Sequence, residues 1–138
     1  MKITLLAIAS LILCMAPGVA YGQAGAPPSK AAKRKLIFAL VETQALLRFA
    51  AVPGNVKKTR ADAFNEASKR SKKFEEEYES ISASLQAETK VKLEGIISFY
   101  DKKVFTQKGF DNLDDLVMVR AIGMADAQIE KLVESMLE

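Results

Sequence analysis

The stretch from Ser84 to Phe110 does most to restrict what this chain can fold into. Its mainly apolar stripe recurs at steps of three and four residues, which places it on one side of an α-helix. The stripe consists of Leu85, Thr89, Leu93, Ile96, Tyr100 and Val104. Ser84 suits an N-cap, because its hydroxyl can accept a hydrogen bond from a first-turn amide. Gly109 can supply the left-handed residue that closes a helix, so we predict a helix from Ser84 to Lys108.

A second helical pattern runs from Lys30 to about Ala51. Ser29 can cap its start, and Pro53-Gly54 ends it. Its apolar residues form two stripes, and a helix that is apolar on two sides is either central in a bundle or has a partner. One stripe holds Leu36, Leu40, Leu47 and Ala51, and the other holds Phe38, Val41, Ala45, Phe49 and Val52.

Two further helices complete the pattern. Thr59-Arg60-Ala61-Asp62 has the form of a capping box and predicts the start of a helix. We predict a bend after this helix, at Ser80–Ser84, because one straight helix from Arg60 to Lys108 would be too long for a domain of this size. Its buried face is predicted to contain Phe64, Ala67, Ser71, Phe74, Tyr78 and Ile81. Asp111 is the predicted N-cap of the last helix, with Asp114 in its first turn.

The last helix is predicted to bury two sets of apolar residues against more than one neighbour. The first set is Leu113, Leu116, Val117, Ala121 and Met124, and the second is Ile122, Ile129, Leu132, Val133 and Met136. The sequence lacks the alternating pattern of a strand. We therefore predict an all-α, single-domain bundle of about four helices over residues 30–138.

The first 22 residues have the layout of a secretory signal peptide. A basic start, Met1-Lys2, precedes an apolar run from Ile3 to Ala16 that is too short for a comfortable membrane span. Cleavage after Ala20 or after Gly22 satisfies the requirement for small residues, and we prefer the second. An uncleaved anchor is the alternative. Residues 23–29 then form a flexible leader, and the mature protein is expected in the periplasm or outside the cell.

Residue types restrict the chemistry. The sequence has no histidine, and its single cysteine, Cys14, lies inside the predicted signal peptide, where the preceding Leu13 argues against lipidation. The usual zinc and copper ligand sets, Ser-His-Asp triads and Cys-His pairs need those residue types. We predict no metal, no cofactor and no enzymatic activity. Carboxylate chemistry on envelope polymers, through Glu75 or Asp114, is a lesser alternative, because a pair of carboxylates can do acid–base work when their environments separate their pKa values.

Charge is distributed unevenly along the chain. Residues 30–73 are rich in lysine and arginine, whereas residues 74–138 are rich in acids. A basic surface can attract anionic partners, but we favour mutual neutralisation of the two halves. We do not expect a nucleic-acid partner, because no aromatic residues interleave with the basic stretches Lys57–Arg60 and Lys69–Lys73 as a stacking platform.

The first helix carries the candidate binding surface. Its second stripe, Phe38, Val41, Ala45 and Phe49, is the candidate partner-facing surface, because the helix has more apolar surface than one neighbour can cover. Its first turn is basic and contains Lys33, Arg34 and Lys35. We expect a non-enzymatic protein-interaction or chaperone-like module of the cell envelope with a protein partner. A peripheral membrane protein that uses this basic amphipathic helix is the alternative, and a homo-oligomer is left open.

Two segments carry a resemblance to a known family. Leu85-Gln-Ala-Glu-Thr-Lys, leading to Ile96-Ile-Ser-Phe-Tyr100, is similar to the middle of a family of small exported bacterial helical domains of unknown function, and Lys33–Leu47 resembles that family's early helix. After the Phe-Tyr pair the family usually has Ser-Pro-x-Gly, where this chain has Asp101-Lys-Lys-Val. The resemblance implies an exported all-helical domain and no particular activity.

Overall fold

The structure, a computed structural model, describes residues 26–138. All regular structure in this part of the chain is helical, which confirms the predicted all-α single domain. The helices are α1 (Lys30–Ala50), α2 (Lys57–Ile81), α3 (Ala87–Phe99), α4 (Gly109–Asn112) and α5 (Leu116–Leu137). The predicted signal peptide and its cleavage site lie outside the described residues.

The four longer helices form a ring of neighbours. Helix α1 packs on α2, α2 on α3, α3 on α5, and α5 on α1. The core lies inside this ring, where Leu40, Phe74 and Leu93 are completely buried. Helix α1 is therefore one side of the bundle rather than its centre. Among the described residues, none of the helices is both long and apolar enough to cross a membrane.

Helix α1 begins and ends close to the predicted residues. The amide of Ala32 donates a hydrogen bond of 3.1 Å to Oγ of Ser29, so Ser29 is the N-cap. The first predicted stripe faces the core, and the buried Leu36 and Leu47 on it have no exposed surface.

Helix α2 buries the predicted face but starts earlier than predicted. All six residues of the predicted face, from Phe64 to Ile81, are buried, and a short 3₁₀ turn at Ser82–Ser84 makes the predicted bend. The prediction of a capping box at Thr59 is wrong, because the helix begins at Lys57 and has no side-chain cap. Arg60 fixes this end instead, since its Nε donates a hydrogen bond of 2.7 Å to the carbonyl of Ala50 at the end of α1.

Helix α3 ends sooner than its apolar periodicity predicts. Ser84 is not its N-cap, because the serine lies in the 3₁₀ turn and Gln86 precedes the helix. Regular α-helix stops at Phe99 and widens into a π-turn over Tyr100–Val104. Phe105 then turns inward and packs on Phe64, with ring centroids 5.3 Å apart. That aromatic contact outweighs continuation of the helix.

Gly109 acts by close approach rather than as a left-handed helix stop. It begins the single-turn helix α4, and a Cβ at this position would lie 1.7 Å from the carbonyl oxygen of Val104. Only glycine lets the chain pass so near the π-turn. Phe110, the next residue, covers Phe64 at a centroid distance of 5.7 Å.

Helix α5 is capped later than predicted and buries only one of its two predicted faces. The N-cap is Asp115 rather than Asp111, because Oδ1 of Asp115 accepts a hydrogen bond of 2.8 Å from the amide of Val117. The second predicted set is largely buried, but most of the first set is not: Leu116, Val117 and Met124 are 63%, 75% and 66% exposed. The prediction fails there because α1 and α3 contact α5 on its other side.

Candidate interaction surface on helix α1

The second stripe of α1 faces solvent. We call Phe38, Val41, Ala45 and Phe49 the outer stripe. Phe38 is 64% exposed, Val41 44% and Phe49 42%, and Ala45 is exposed as well. Helical spacing places these residues on the side of α1 opposite its core-facing leucines. Among the described residues, no helix covers the stripe.

A groove lies beside the outer stripe, between α1 and α5. Val41 and Ala45 form its α1 wall, and Ile129 and Val133 contribute apolar surface from α5. Its volume is about 370 Å³. Val41 and Ala45 belong both to the outer stripe and to the groove, so the stripe borders the apolar surface that Ile129 and Val133 contribute from α5.

Acidic side chains line the α5 rim of this groove. Asp126, Glu130 and Glu134 recur every fourth residue, so they lie along one face of α5. Asp126 is paired with Arg48 of α1 at 3.3 Å. Glu130 and Glu134 are exposed, which leaves the rim rich in negative charge beside an apolar floor.

The basic residues in the first turn of α1 have different roles. Nζ of Lys33 donates a hydrogen bond of 3.1 Å to the carbonyl oxygen of Met136, near the C-terminal end of α5. A cation at that end suits both the unpaired carbonyls and the helix dipole. Arg34 and Lys35 are exposed. Lys33 therefore contributes to the fold, whereas the exposed Arg34 and Lys35, like Lys30, can face a partner or a membrane.

Four of the seven basic side chains in the stretches Lys57–Arg60 and Lys69–Lys73 are paired with acidic residues of the same chain. Arg60 is 8% exposed, and its Nη2 lies 3.0 Å from Oδ1 of Asp114. Arg70 pairs with Glu42 of α1 at 3.3 Å and with Glu66 at 3.1 Å. Of these pairs, Arg60–Asp114 joins residues 30–73 to residues 74–138, whereas Glu42 and Glu66 belong to the basic part of the chain itself. Mutual neutralisation of the two halves stays a prediction.

The candidate carboxylates differ in their surroundings. Asp114 is bound to Arg60 and so has a structural role. Partial burial raises the pKa of Glu75, and the nearby Asp101 and Glu79 raise it further, while Lys72 opposes the change. Glu75 is therefore less exposed to solvent than the neighbouring Glu76. Among the described residues, no group of three or more acidic side chains is arranged to hold a metal ion.

A second groove, which sequence reasoning missed, lies between α3 and α5. It has a volume of about 390 Å³, and Val91, Gly95, Gln128 and Lys131 are among its lining residues. Gly95 has a helical backbone, and nothing lies within 4 Å of the position where its Cβ would be. The available signal was a glycine in the middle of a helix, where glycine is unfavourable without a reason.

Comparisons with protein-family models, with curated proteins and with solved structures give no match. The resemblance to small exported helical domains therefore stays a prediction.

Proposed function

We propose that the chain is a non-enzymatic protein-interaction module of the bacterial cell envelope, which binds a protein through the outer stripe of α1. One observation carries the proposal. A helix with two apolar sides is either central or partnered, and α1 is one side of the bundle, with Phe38 64% exposed. Apolar side chains aligned on one exposed face are typical of an interaction surface.

The envelope location is proposed from the predicted signal peptide. Fractionation of cells that express the complete chain provides the test, because a processed product in the periplasm or the medium is expected. An unprocessed product in the cytoplasm would contradict this part of the proposal.

Affinity capture from envelope extract tests the interaction. The double variant Phe38→Glu/Phe49→Glu should lose the captured protein, because each change places a charge in an apolar contact. Val91→Glu is the matched control, since Val91 is 69% exposed but lies on α3. Capture that survives the double variant, or that is lost equally in the control, would argue against the outer stripe.

Membrane-surface binding through α1 is a second candidate. It is favoured by the exposure of Arg34 and Lys35 close to Phe38, because peripheral helices combine basic and apolar faces. Co-sedimentation with phosphatidylglycerol vesicles should then be salt-sensitive and should be lost in Arg34→Glu/Lys35→Glu. Absence of salt-sensitive binding would exclude this alternative.

A further inference from the structure

We infer that the protein bound by the outer stripe is a second copy of this chain, with the two α1 helices packed antiparallel about a two-fold axis. The inference rests on the proposed function and identifies its partner. Three features carry it: the order of side chains along the stripe, the position of the basic first turn, and the acidic rim of α5.

The outer stripe is nearly the same when it is followed in either direction. Phe38 and Phe49 lie at its two ends, and Val41 and Ala45 lie between them. An antiparallel pair centred at the level between Thr43 and Gln44 places Phe38 of each copy opposite Phe49 of the other. Val41 then lies about 1.5 Å, one residue, from the level of the small Ala45 of the other copy, and a small residue there permits the close approach that packed helices need. A two-fold interface requires this kind of self-complementarity.

Charge selects the antiparallel arrangement over the parallel one. A parallel pair would place Lys30, Arg34 and Lys35 of both copies side by side, and like charges at short distance repel. In the antiparallel pair the two basic first turns lie at opposite ends of a 21-residue helix, which is a separation of about 30 Å.

The acidic rim of α5 supplies a charge partner for Arg48 of the second copy. Helices α1 and α5 run antiparallel, because Lys33 bonds to Met136 and Gln44 bonds to Ile122. Glu130 therefore lies between the levels of residues 36 and 44 on α1, and at the level of residue 39 when it is counted from the Lys33–Met136 bond. The two-fold axis brings Arg48 of the second copy to that same level.

The axis also keeps both α5 helices on the same lateral side of the α1 pair. Arg48 lies on that side, since it pairs with Asp126 within its own chain. Each Arg48 can therefore approach Glu130 of the other copy, and the pair of copies contains this contact twice.

The first test measures mass. The complete chain is expressed and the purified product is studied by sedimentation velocity over a range of concentrations. We expect a concentration-dependent dimer, because one helix face with a charged rim is a small interface. Phe38→Glu should weaken dimerisation on the order of 100-fold or more, because the symmetry removes two buried rings at once. Val91→Glu is the control and should dimerise normally, and circular dichroism should show that both variants are folded.

The second test separates contacts between copies from contacts within one chain. Arg48→Glu and Glu130→Arg should each dimerise roughly tenfold or more weakly alone, because each homodimer then contains two like-charge contacts. An equimolar mixture of the two variants should recover a heterodimer, in which both contacts are again between opposite charges. A contact within one chain would not be restored by mixing.

Each other outcome overturns the inference. If the sedimenting species has the mass of a monomer up to the highest soluble concentration, self-association is excluded. A dimer that persists in Phe38→Glu uses another surface, and failure of the mixture to recover excludes the antiparallel register. If the chain is monomeric while the outer stripe still captures an envelope protein, the inference fails and the proposed function stands.

Discussion

The hydroxyl of Tyr100 donates a hydrogen bond of 2.8 Å to Oε1 of Gln44, inside the core. The side-chain Nε2 of Gln44 donates in turn a hydrogen bond of 3.0 Å to the backbone carbonyl oxygen of Ile122. One glutamine therefore joins α1, the π-turn after α3, and α5. Tyr100 has no exposed surface, and Gln44 is 2% exposed, so each polar group depends on the other for its hydrogen bond.

We expect a double-mutant cycle on this pair to show strong coupling. Tyr100→Phe should lower the free energy of unfolding by about 1–2 kcal/mol, because it leaves the buried Oε1 of Gln44 unpaired. Gln44→Met should cost about 2–3 kcal/mol, because it leaves the buried tyrosine hydroxyl unpaired and also removes the bond to α5. The double variant should cost less than the sum. Urea denaturation of the four proteins measures this, and strict additivity would contradict the pairing.

Alkaline pH should destabilise the fold through Tyr78. Burial raises the pKa of Tyr78 from its ordinary value of 10.0 to about 12, and the hydrogen bond to Glu94 adds to the effect. Because folding raises this pKa, its stabilising contribution is complete below about pH 10 and is lost as the pH rises toward 12. Tyr78→Phe should flatten the pH dependence of the free energy of unfolding in that window. An unchanged slope in the variant would show that Tyr78 does not titrate in this way.

Glu75→Gln should raise the melting temperature near neutral pH. Partial burial and the nearby Asp101 and Glu79 disfavour the charged form of Glu75 and so raise its pKa. Since folding raises this pKa from 4.5, the gain should be absent below about pH 4.5 and should appear as the pH rises above it. Glu76→Gln, which changes an exposed neighbour on α2, is the matched control. An equal gain in both variants would point to net charge rather than to the surroundings of Glu75.

Arg60 should contribute more to stability than a surface arginine does. It bonds to Ala50 and Asp114, and its guanidinium lies 5.9 Å from the ring centroid of Phe110. Arg60→Leu should cost about 2–3 kcal/mol, because the carbonyl of Ala50 loses a charge-assisted bond. Asp114→Asn should cost about 1 kcal/mol or less, because that side chain is 74% exposed. Thermal unfolding that ranks the two variants the other way would contradict this assignment.

The sequence pattern predicted the fold class and both ends of α1, but it misplaced the starts of α2 and α5 and the end of α3. The buried face of α2 and both stripes of α1 follow from spacing alone, because they depend on local geometry. The end of α3 depends on Phe105 finding Phe64, a partner distant in the sequence. The exposed Leu116 and Val117 show the same limit, since the spacing of apolar residues indicates a face but not whether a neighbour covers it.

The spacing of apolar residues could not predict the roles of the polar residues in the core. Spacing places Gln44 in neither apolar stripe of α1, and it places Arg60 in the basic stretch Lys57–Arg60. Both are buried and bonded to backbone carbonyls of other segments. Their roles depend on which carbonyls the packed helices bring near them, and the sequence does not contain that information in local form. The outer stripe was found from spacing, whereas the acidic rim beside it required the packing of α5 on α1.

Two glycines on neighbouring elements should respond oppositely to the same substitution. Gly109→Ala should destabilise the protein by more than about 2 kcal/mol, because the new Cβ would meet the backbone carbonyl of Val104 at 1.7 Å. Gly95→Ala should stabilise it by about 0.5–1 kcal/mol, because the position is helical and has open space around it. Chemical denaturation of both variants measures the two signs. If Gly95→Ala also destabilised the fold, something would have to occupy the groove between α3 and α5, since among the described residues nothing lies where that methyl group would be.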